Sequence, residues 1–99
     1  YISTGGQFYE LIVGHDRFIA DLRPLFYARG KHASANGLCV HPYDCCTALV
    51  ATEAGVIITD GHGRPLDGPL DCTSNIHWAG YANRALFEQI APVVRGYFA

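Results

Sequence analysis

A helix that leads directly into a buried strand is the feature that most constrains the fold of this chain. Pro42 suits a first helical turn, where its missing N–H costs nothing, and Gly55 stands where a helix would end. We therefore predict a helix over residues 42–54. The β-branched run 55–59, followed by Asp60-Gly61, predicts a buried strand and then a turn. Helices that shelter buried strands are typical of layered α/β domains.

The rest of the chain supplies further elements for such a domain. Apolar periodicity and turn residues predict a helix over 3–14, a strand over 15–22, a long loop or insertion over 23–40, a loop over 61–71, a strand over 75–81 and a helix over 83–98. The predicted order is α-β-α-β-β-α. The predicted fold class is α/β, a layered sheet of about three or more strands flanked by helices.

Length and composition limit the number of domains and the classes of partner. The chain has 99 residues, which suits a single domain over residues 1–99. Hydrophobic residues form 49% of it and charged residues 16%, which excludes a disordered tail. A net charge of −2 with seven dispersed basic residues argues against nucleic acid and anionic membranes as partners. Without a signal peptide or a long apolar run, the expected location is the cytoplasm.

The four cysteines do not form a recognisable metal-binding or disulfide pattern. They are Cys39, Cys45, Cys46 and Cys72, and no CxxC pair occurs among them. Cys45 and Cys46 are adjacent on a predicted helix and point about 100° apart, so they cannot hold one ion together. We expect reduced core cysteines; a disulfide and a metal site stay open as alternatives.

Short motifs follow one another along the chain in a characteristic order. They comprise Ser3-Thr4-Gly5, residues 13–21, Tyr43-Asp44-Cys45-Cys46, Thr52-Glu53-Ala54-Gly55, residues 57–60, residues 63–67 and residues 81–86. In this order they resemble the C-terminal half of the inositol monophosphatase-like, magnesium-dependent and lithium-sensitive phosphatases. That family has Trp-Asp-x-Ala-(Ala/Gly), Glu-Ala-Gly-Gly, a strand ending in Asp, and Gly-x-Pro. Here Tyr43 replaces the Trp, Cys45-Cys46 replaces the usual small residues, and residues 23–40 are extra.

The resemblance implies a role for five residues. Asp44 matches the late ligand to Mg²⁺, which prefers hard oxygen donors. Ser3 and Thr4 would line the substrate pocket, Asp21 would bind a substrate hydroxyl, and His41 would lie near the substrate. The fold it implies is the C-terminal lobe of the sugar phosphatases, and the substrate would be inositol phosphate or a related sugar or nucleotide phosphate.

Each of these residues also has a purely structural interpretation. Asp44 suits the first turn of a helix, and Ser3 and Thr4 suit a helix cap. Asp21 could be a solvated acid at a strand end, and His41 a cap or surface residue. A second group of polar residues, Asp60, His62 and Asp67, has no diagnostic spacing, so we predict that they are turn residues.

The family's other metal ligands lie in a Glu-Glu pair and an Asp-Pro-x-Asp-Gly-Thr motif, and this chain contains neither. The resemblance therefore implies that the chain alone is inactive and needs an N-terminal lobe or a separate complementing chain, with Mg²⁺ held only in the complete site. A freestanding, non-catalytic binding or oligomerisation module, expected to form a homo-oligomer, is the alternative. A third hypothesis is an unrelated small α/β domain with chance motif matches.

Overall fold

The computed structural model describes residues 3–28 and 40–97 of the chain. Its elements are α1 (Thr4–Ile12), β1 (Phe18–Asp21), α2 (Arg23–Ala28), a 3₁₀ helix (Pro42–Cys45), α3 (Ala48–Glu53), β2 (Ile57–Thr59), β3 (Trp78–Tyr81) and α4 (Arg84–Tyr97). This order confirms a small α/β architecture in the described part of the chain. No helix there combines the length and the apolar character needed to cross a bilayer.

The sheet has three antiparallel strands in the order β1-β3-β2. The central strand β3 aligns Tyr81 with Phe18 of β1 on one side and with Ile57 of β2 on the other. Isolated bridges extend the pairing, from Val40 to Ile76 and from Thr59 to Pro65. All four residues of β3 are buried, which is expected of a strand that is covered on both faces.

Helices cover both faces of the sheet because successive side chains of a strand point to opposite faces. On one face Trp78 packs edge-on against Phe8 of α1, with ring centroids 4.8 Å apart. On the other face Tyr81 packs against Phe87 of α4, with ring centroids 5.2 Å apart, and Ala91 of α4 is buried in the same cluster. The expected layered sheet flanked by helices is therefore confirmed.

The first and last predicted helices are confirmed together with their caps. The Ser3 hydroxyl oxygen accepts a hydrogen bond from the Gly6 N–H at 3.1 Å, and Gly14 follows the helix with φ +79°. At the start of α4, Asn83 Oδ1 accepts from the Leu86 N–H at 2.9 Å. The helix continues through Pro92 to Tyr97.

The prediction of a continuous helix over residues 42–54 is wrong. This segment forms a 3₁₀ helix, then a turn at Cys46 and Thr47, and then α3. The N–H of Cys46 bonds to the Tyr43 carbonyl, the i→i+3 pattern of the tighter helix, and Thr47 has φ −95° and ψ 8°, outside the helical region. Gly55 ends α3 as predicted, with φ +101°.

The long loop predicted for residues 23–40 is wrong at its start, because Arg23–Ala28 form α2. Pro24 lies in the first turn of α2, where proline is tolerated, so it does not break the helix. Residues 29–39 of the same predicted insertion, with Cys39, lie outside the described residues. Val40 pairs with Ile76 beside the sheet, with the Ile76 N–H donating to the Val40 carbonyl at 2.7 Å.

The expectation of core cysteines is wrong for two of the described cysteines. Cys46 and Cys72 are exposed, and Cys45 is half-buried against the core. All three are free thiols. Cys46 is exposed because the turn it occupies faces solvent instead of forming a middle turn of a buried helix.

Candidate functional site

Asp44 lies in the 3₁₀ helix and stabilises it through its own side chain. Its Oδ2 accepts a hydrogen bond from the His41 N–H at 2.9 Å, while the Asp44 N–H donates to the His41 carbonyl at 2.9 Å. The carboxylate is half-buried, and Oδ1 has no hydrogen-bond partner among the described residues. The turn thus uses one carboxylate oxygen, and Oδ1 is the one that the described residues leave for a ligand.

His41 connects the 3₁₀ helix to a distant loop and does not cap the helix through its side chain. Its Nδ1 lies 3.0 Å from the Ser74 carbonyl oxygen. Because a carbonyl only accepts, Nδ1 carries the hydrogen and Nε2 has the free lone pair. Ser74 is held in turn by Asp71, whose Oδ2 accepts from the Ser74 hydroxyl at 2.6 Å.

The start of α1 lies against the segment that carries Asp44. α1 contacts both the 3₁₀ helix and α3, and a Cβ added at Gly5 would lie 3.6 Å from the Thr47 hydroxyl oxygen. Thr4 is half-buried, and Ser3 is exposed with its hydroxyl used as the helix cap. The structure therefore brings α1 against the 3₁₀ helix, with Gly5 close to Thr47, three residues after Asp44.

Asp21 is neither a solvated acid nor a free one. Its side chain is only 13% exposed, and its two oxygens accept from the Arg23 guanidinium at 2.8 and 2.5 Å. Oδ1 also lies 3.4 Å from the Arg23 N–H at the start of α2. Asp21 would have to give up this ion pair before it could bind a substrate hydroxyl.

Cys45 lies close enough to the carboxylates of Asp44 and Asp21 for their charges to affect its pKa. Its pKa is raised to about 11, first by burial of the thiol and then by the negative charge of Asp44, with smaller effects from Cys46 and Asp21. A thiol with such a pKa stays neutral near pH 7 and is a poor nucleophile. Of the two carboxylates, Asp21 is neutralised by Arg23, so Asp44 is the one without a cationic partner among the described residues.

A groove of about 230 Å³ opens beside the 3₁₀ helix. Its lining residues come from that helix, α3 and the following loops: Pro42, Cys45, Ala48, Leu66, Asp67, Gly68, Pro69, Leu70 and Ile76. Asp67 is the charged side chain among them. The groove is mostly apolar, and sequence analysis missed it because residues 61–71 had no signal other than turn chemistry.

The polar residues predicted to form turns do so. Asp60 Oδ1 accepts from the His62 N–H at 2.8 Å and from the Arg64 N–H at 2.9 Å, and Asp67 Oδ1 accepts from the Gly68 N–H. Within residues 3–28 and 40–97, no group of three or more His, Cys, Asp or Glu side chains is arranged to hold a metal ion. Asp44 can therefore supply one ligand of a metal site, but these residues do not form a complete one.

In comparisons with protein-family models, curated proteins and solved structures, the chain matches none of them. The resemblance to the magnesium-dependent phosphatases therefore depends on the ordered sequence motifs alone.

Proposed function

We propose that this chain supplies the late metal ligand and part of the substrate pocket of a magnesium-dependent phosphomonoesterase of the inositol monophosphatase type. The fold would be the C-terminal lobe of the sugar phosphatases. The observation that supports the proposal is the packing of α1 against the 3₁₀ helix that carries Asp44, with Gly5 of α1 close to Thr47. This packing would let two motifs that are about 40 residues apart in the sequence contribute to one site.

The residues around Asp44 and the start of α1 suit the binding of a metal ion, a phosphate and a substrate. The free Oδ1 of Asp44 is a hard anionic oxygen of the kind that Mg²⁺ prefers. The first turn of α1 presents N–H groups and the positive end of the helix dipole, which favour a phosphate. His41 leaves Nε2 free for a substrate, whereas Asp21 is occupied by Arg23. The substrate class is a phosphorylated small molecule, such as inositol phosphate or a related sugar or nucleotide phosphate.

Asp44 alone cannot hold a catalytic metal cluster. The remaining carboxylates would come from an N-terminal lobe or a complementing chain that carries the Glu-Glu pair and the Asp-Pro-x-Asp-Gly-Thr motif. In the complete site, Mg²⁺ would neutralise phosphoryl charge and lower the pKa of a bound water. The contribution of this chain would be to orient Asp44 through the His41 N–H and to place the start of α1 beside it.

Manganese provides a direct probe of the Asp44 site, because Mn²⁺ takes the same ligands as Mg²⁺ and broadens nearby NMR signals. We expect weak binding that selectively broadens the backbone amides of the 3₁₀ helix and of Thr4 and Gly5. Asp44→Asn should abolish this broadening while keeping an oxygen that accepts from the His41 N–H. Asp67→Asn is the matched control and should leave it unchanged. Broadening that centres on Asp60 or Asp67, or that survives in Asp44→Asn, would contradict the proposal.

Activity provides the second test. The 99-residue chain should not hydrolyse inositol phosphate with Mg²⁺. Hydrolysis should appear when a chain with the missing acidic motifs is added, and Asp44→Asn should remove it. Magnesium-dependent hydrolysis by the 99-residue chain alone would overturn the division of the site between two parts.

A second candidate function, a freestanding non-catalytic binding or oligomerisation module, is supported by a different observation. Large apolar side chains are exposed on the two helices that pack together, Tyr9 on α1 and Leu49 and Val50 on α3. Light scattering would distinguish the candidates. A discrete oligomer that Leu49→Asp dissociates and Val93→Asp, on α4, does not would favour the module; a monomer would argue against it.

A further inference from the structure

Gly61 lies at a close-packed junction between the end of β2, the start of α2 and the residues before β3. It is buried, and a Cβ at this position would lie 2.5 Å from Leu25 Cδ1, 2.9 Å from Leu22 Cδ2 and 3.0 Å from His77 Nδ1. Real Cβ contacts are not this short, so a side chain at position 61 would require Leu22 and Leu25 to move. The backbone of the Asp60–Arg64 turn is therefore packed directly against α2 and against an imidazole ring.

A single hydrogen bond closes this junction from the β3 side. The Gly61 N–H donates to His77 Nδ1 at 2.8 Å. Nδ1 can accept only when it carries no hydrogen, so the ring is the neutral tautomer with its hydrogen on Nε2. A proton on Nδ1 would face the Gly61 N–H with a second donor, and a buried N–H would lose its partner.

Two segments of the chain pack around the His77 ring and Gly61, and charged or titratable groups on one of them affect the pKa of His77. The turn after β2 contributes Asp60, which favours a charged ring, and His62, whose ring packs edge-on at 5.3 Å between centroids and disfavours it. The segment from β1 to α2 contributes the apolar side chains of Leu22 and Leu25, which reach Gly61. Partial burial has the largest effect and, with His62, lowers the pKa of His77 below its ordinary value.

We propose that His77 is a proton-operated latch, in which protonation of Nδ1 breaks the bond to the Gly61 N–H and frees the Asp60–Arg64 turn from Leu22 and Leu25. At neutral pH the ring accepts from Gly61, and the turn is fixed against α2. In acid the ring becomes a donor and can no longer accept from the Gly61 N–H. The latch is separate from the Asp44 site and does not depend on the proposed phosphatase function.

The sign of the pH dependence follows from the direction of the shift. A histidine whose pKa is lower in the folded state binds more protons when unfolded, so its contribution to stability is complete above the ordinary pKa of histidine. It decreases as the pH falls below that value. The latch is therefore closed at neutral pH and opens in mild acid.

Amide hydrogen exchange of Gly61, read by NMR, tests the latch. After correction for the intrinsic pH dependence of exchange, protection of the Gly61 amide should fall about tenfold or more between about pH 7.5 and about pH 5. Protection of the Ala79 amide, in the central strand, is the internal control and should change much less. An unchanged protection of Gly61 over this range would overturn the proposal.

Two variants test whether the protection of the Gly61 amide depends on protonation of His77 or only on how the side chains pack. In His77→Asn the Oδ1 atom can replace Nδ1 as an acceptor without titrating, so Gly61 should stay protected at both pH values. His62→Gln removes a group that lowers the pKa of His77, so the latch should still work, with its opening shifted to higher pH. If His77→Asn does not fold, the ¹⁵N shifts of the wild-type ring decide the question. They should show hydrogen on Nε2 at neutral pH, and hydrogen on Nδ1 there would refute the latch.

Discussion

The Cδ1 atom of Leu11 lies directly over Gly80, where a Cβ would approach it to 2.6 Å. Leu11 is a fully buried residue of α1, and Gly80 is in the middle of the central strand β3. The same added Cβ would lie 2.9 Å from Trp78 Cζ3. A residue without a side chain is thus what allows α1 to approach the sheet.

Gly80→Ala should destabilise the fold by about 1–3 kcal/mol, because the extra methyl group overpacks the contact between α1 and the sheet. Urea unfolding followed by the fluorescence of Trp78, the single tryptophan, measures this change. Gly96→Ala, in α4 with nothing within 4 Å of its added Cβ, is the matched control. It should be neutral or stabilise the fold by up to about 1 kcal/mol. A neutral Gly80→Ala would show that α1 does not pack this closely.

Ser3→Ala should cost about 0.5–2 kcal/mol, since the Gly6 N–H loses the oxygen that caps α1. The loss should appear as a lower urea midpoint with an unchanged slope. Ser3→Asp keeps an acceptor at the cap and adds a charge suited to a helix N-terminus, so it should retain wild-type stability. Equal losses in both variants would mean that Ser3 acts through something other than capping.

The Cys45 thiol should resist alkylation, because its pKa is raised to about 11, mainly by burial. At about pH 8, peptide mapping by mass spectrometry should find Cys46 and Cys72 modified well before Cys45. Asp44→Asn should speed the reaction of Cys45 modestly, because the negative charge of Asp44 is the second cause of the shift. Cys45 reacting as fast as Cys46 in the native protein would contradict this environment.

The same shift predicts a loss of stability in alkali. A group whose pKa is raised on folding contributes stability that is complete below its ordinary value of 9.0 and is lost as the pH rises toward about 11. The Cys45→Ser variant removes this titration. The difference in unfolding midpoint between wild type and Cys45→Ser should therefore change across this pH range and stay constant below it.

Asp71 should titrate below the usual range of an aspartate. Its pKa is lowered, first by the hydrogen bond from the Ser74 hydroxyl and then by the backbone N–H groups of Ser74 and Thr73. The order of the loop should persist above the ordinary aspartate pKa and be lost as the pH falls through the lowered value. Carboxyl ¹³C NMR measures the titration, and Ser74→Ala should move the pKa of Asp71 upward. An unchanged pKa in that variant would exclude the hydroxyl as the main cause.

The elements that could be predicted from sequence are those fixed by local chemistry. Ser3 and Asn83 cap their helices, and Gly14 and Gly55 end theirs in the left-handed conformation. The three strands lie within the predicted ranges. Short runs of β-branched or alternating residues favour strand formation. The packing of α1 against the 3₁₀ helix that carries Asp44 does not follow from spacing along the chain.

The features that could not be predicted depend on contacts between distant residues. The helix over residues 42–54 is interrupted at Thr47, on the side that packs near Gly5 of α1, and apolar periodicity carries no information on such packing. The ion pair of Asp21 with Arg23 is a local exception, since it depends on α2 starting directly after the strand, in a segment that was expected to be a loop. His77 had no local motif, because its partner Gly61 lies 16 residues away.

The position of β3 in the sheet also determines the order in which the fold can be completed during synthesis. Both neighbours of β3 precede it in the chain and do not pair with each other. When the ribosome has made β1, α3 and β2, the two strands have no partner, and their hydrogen-bonding edges and the apolar side chains of α1 lack the strand that buries them. The complete sheet can form only after Tyr81 has left the exit tunnel, so until then only the helices that precede β3 can form by local contacts.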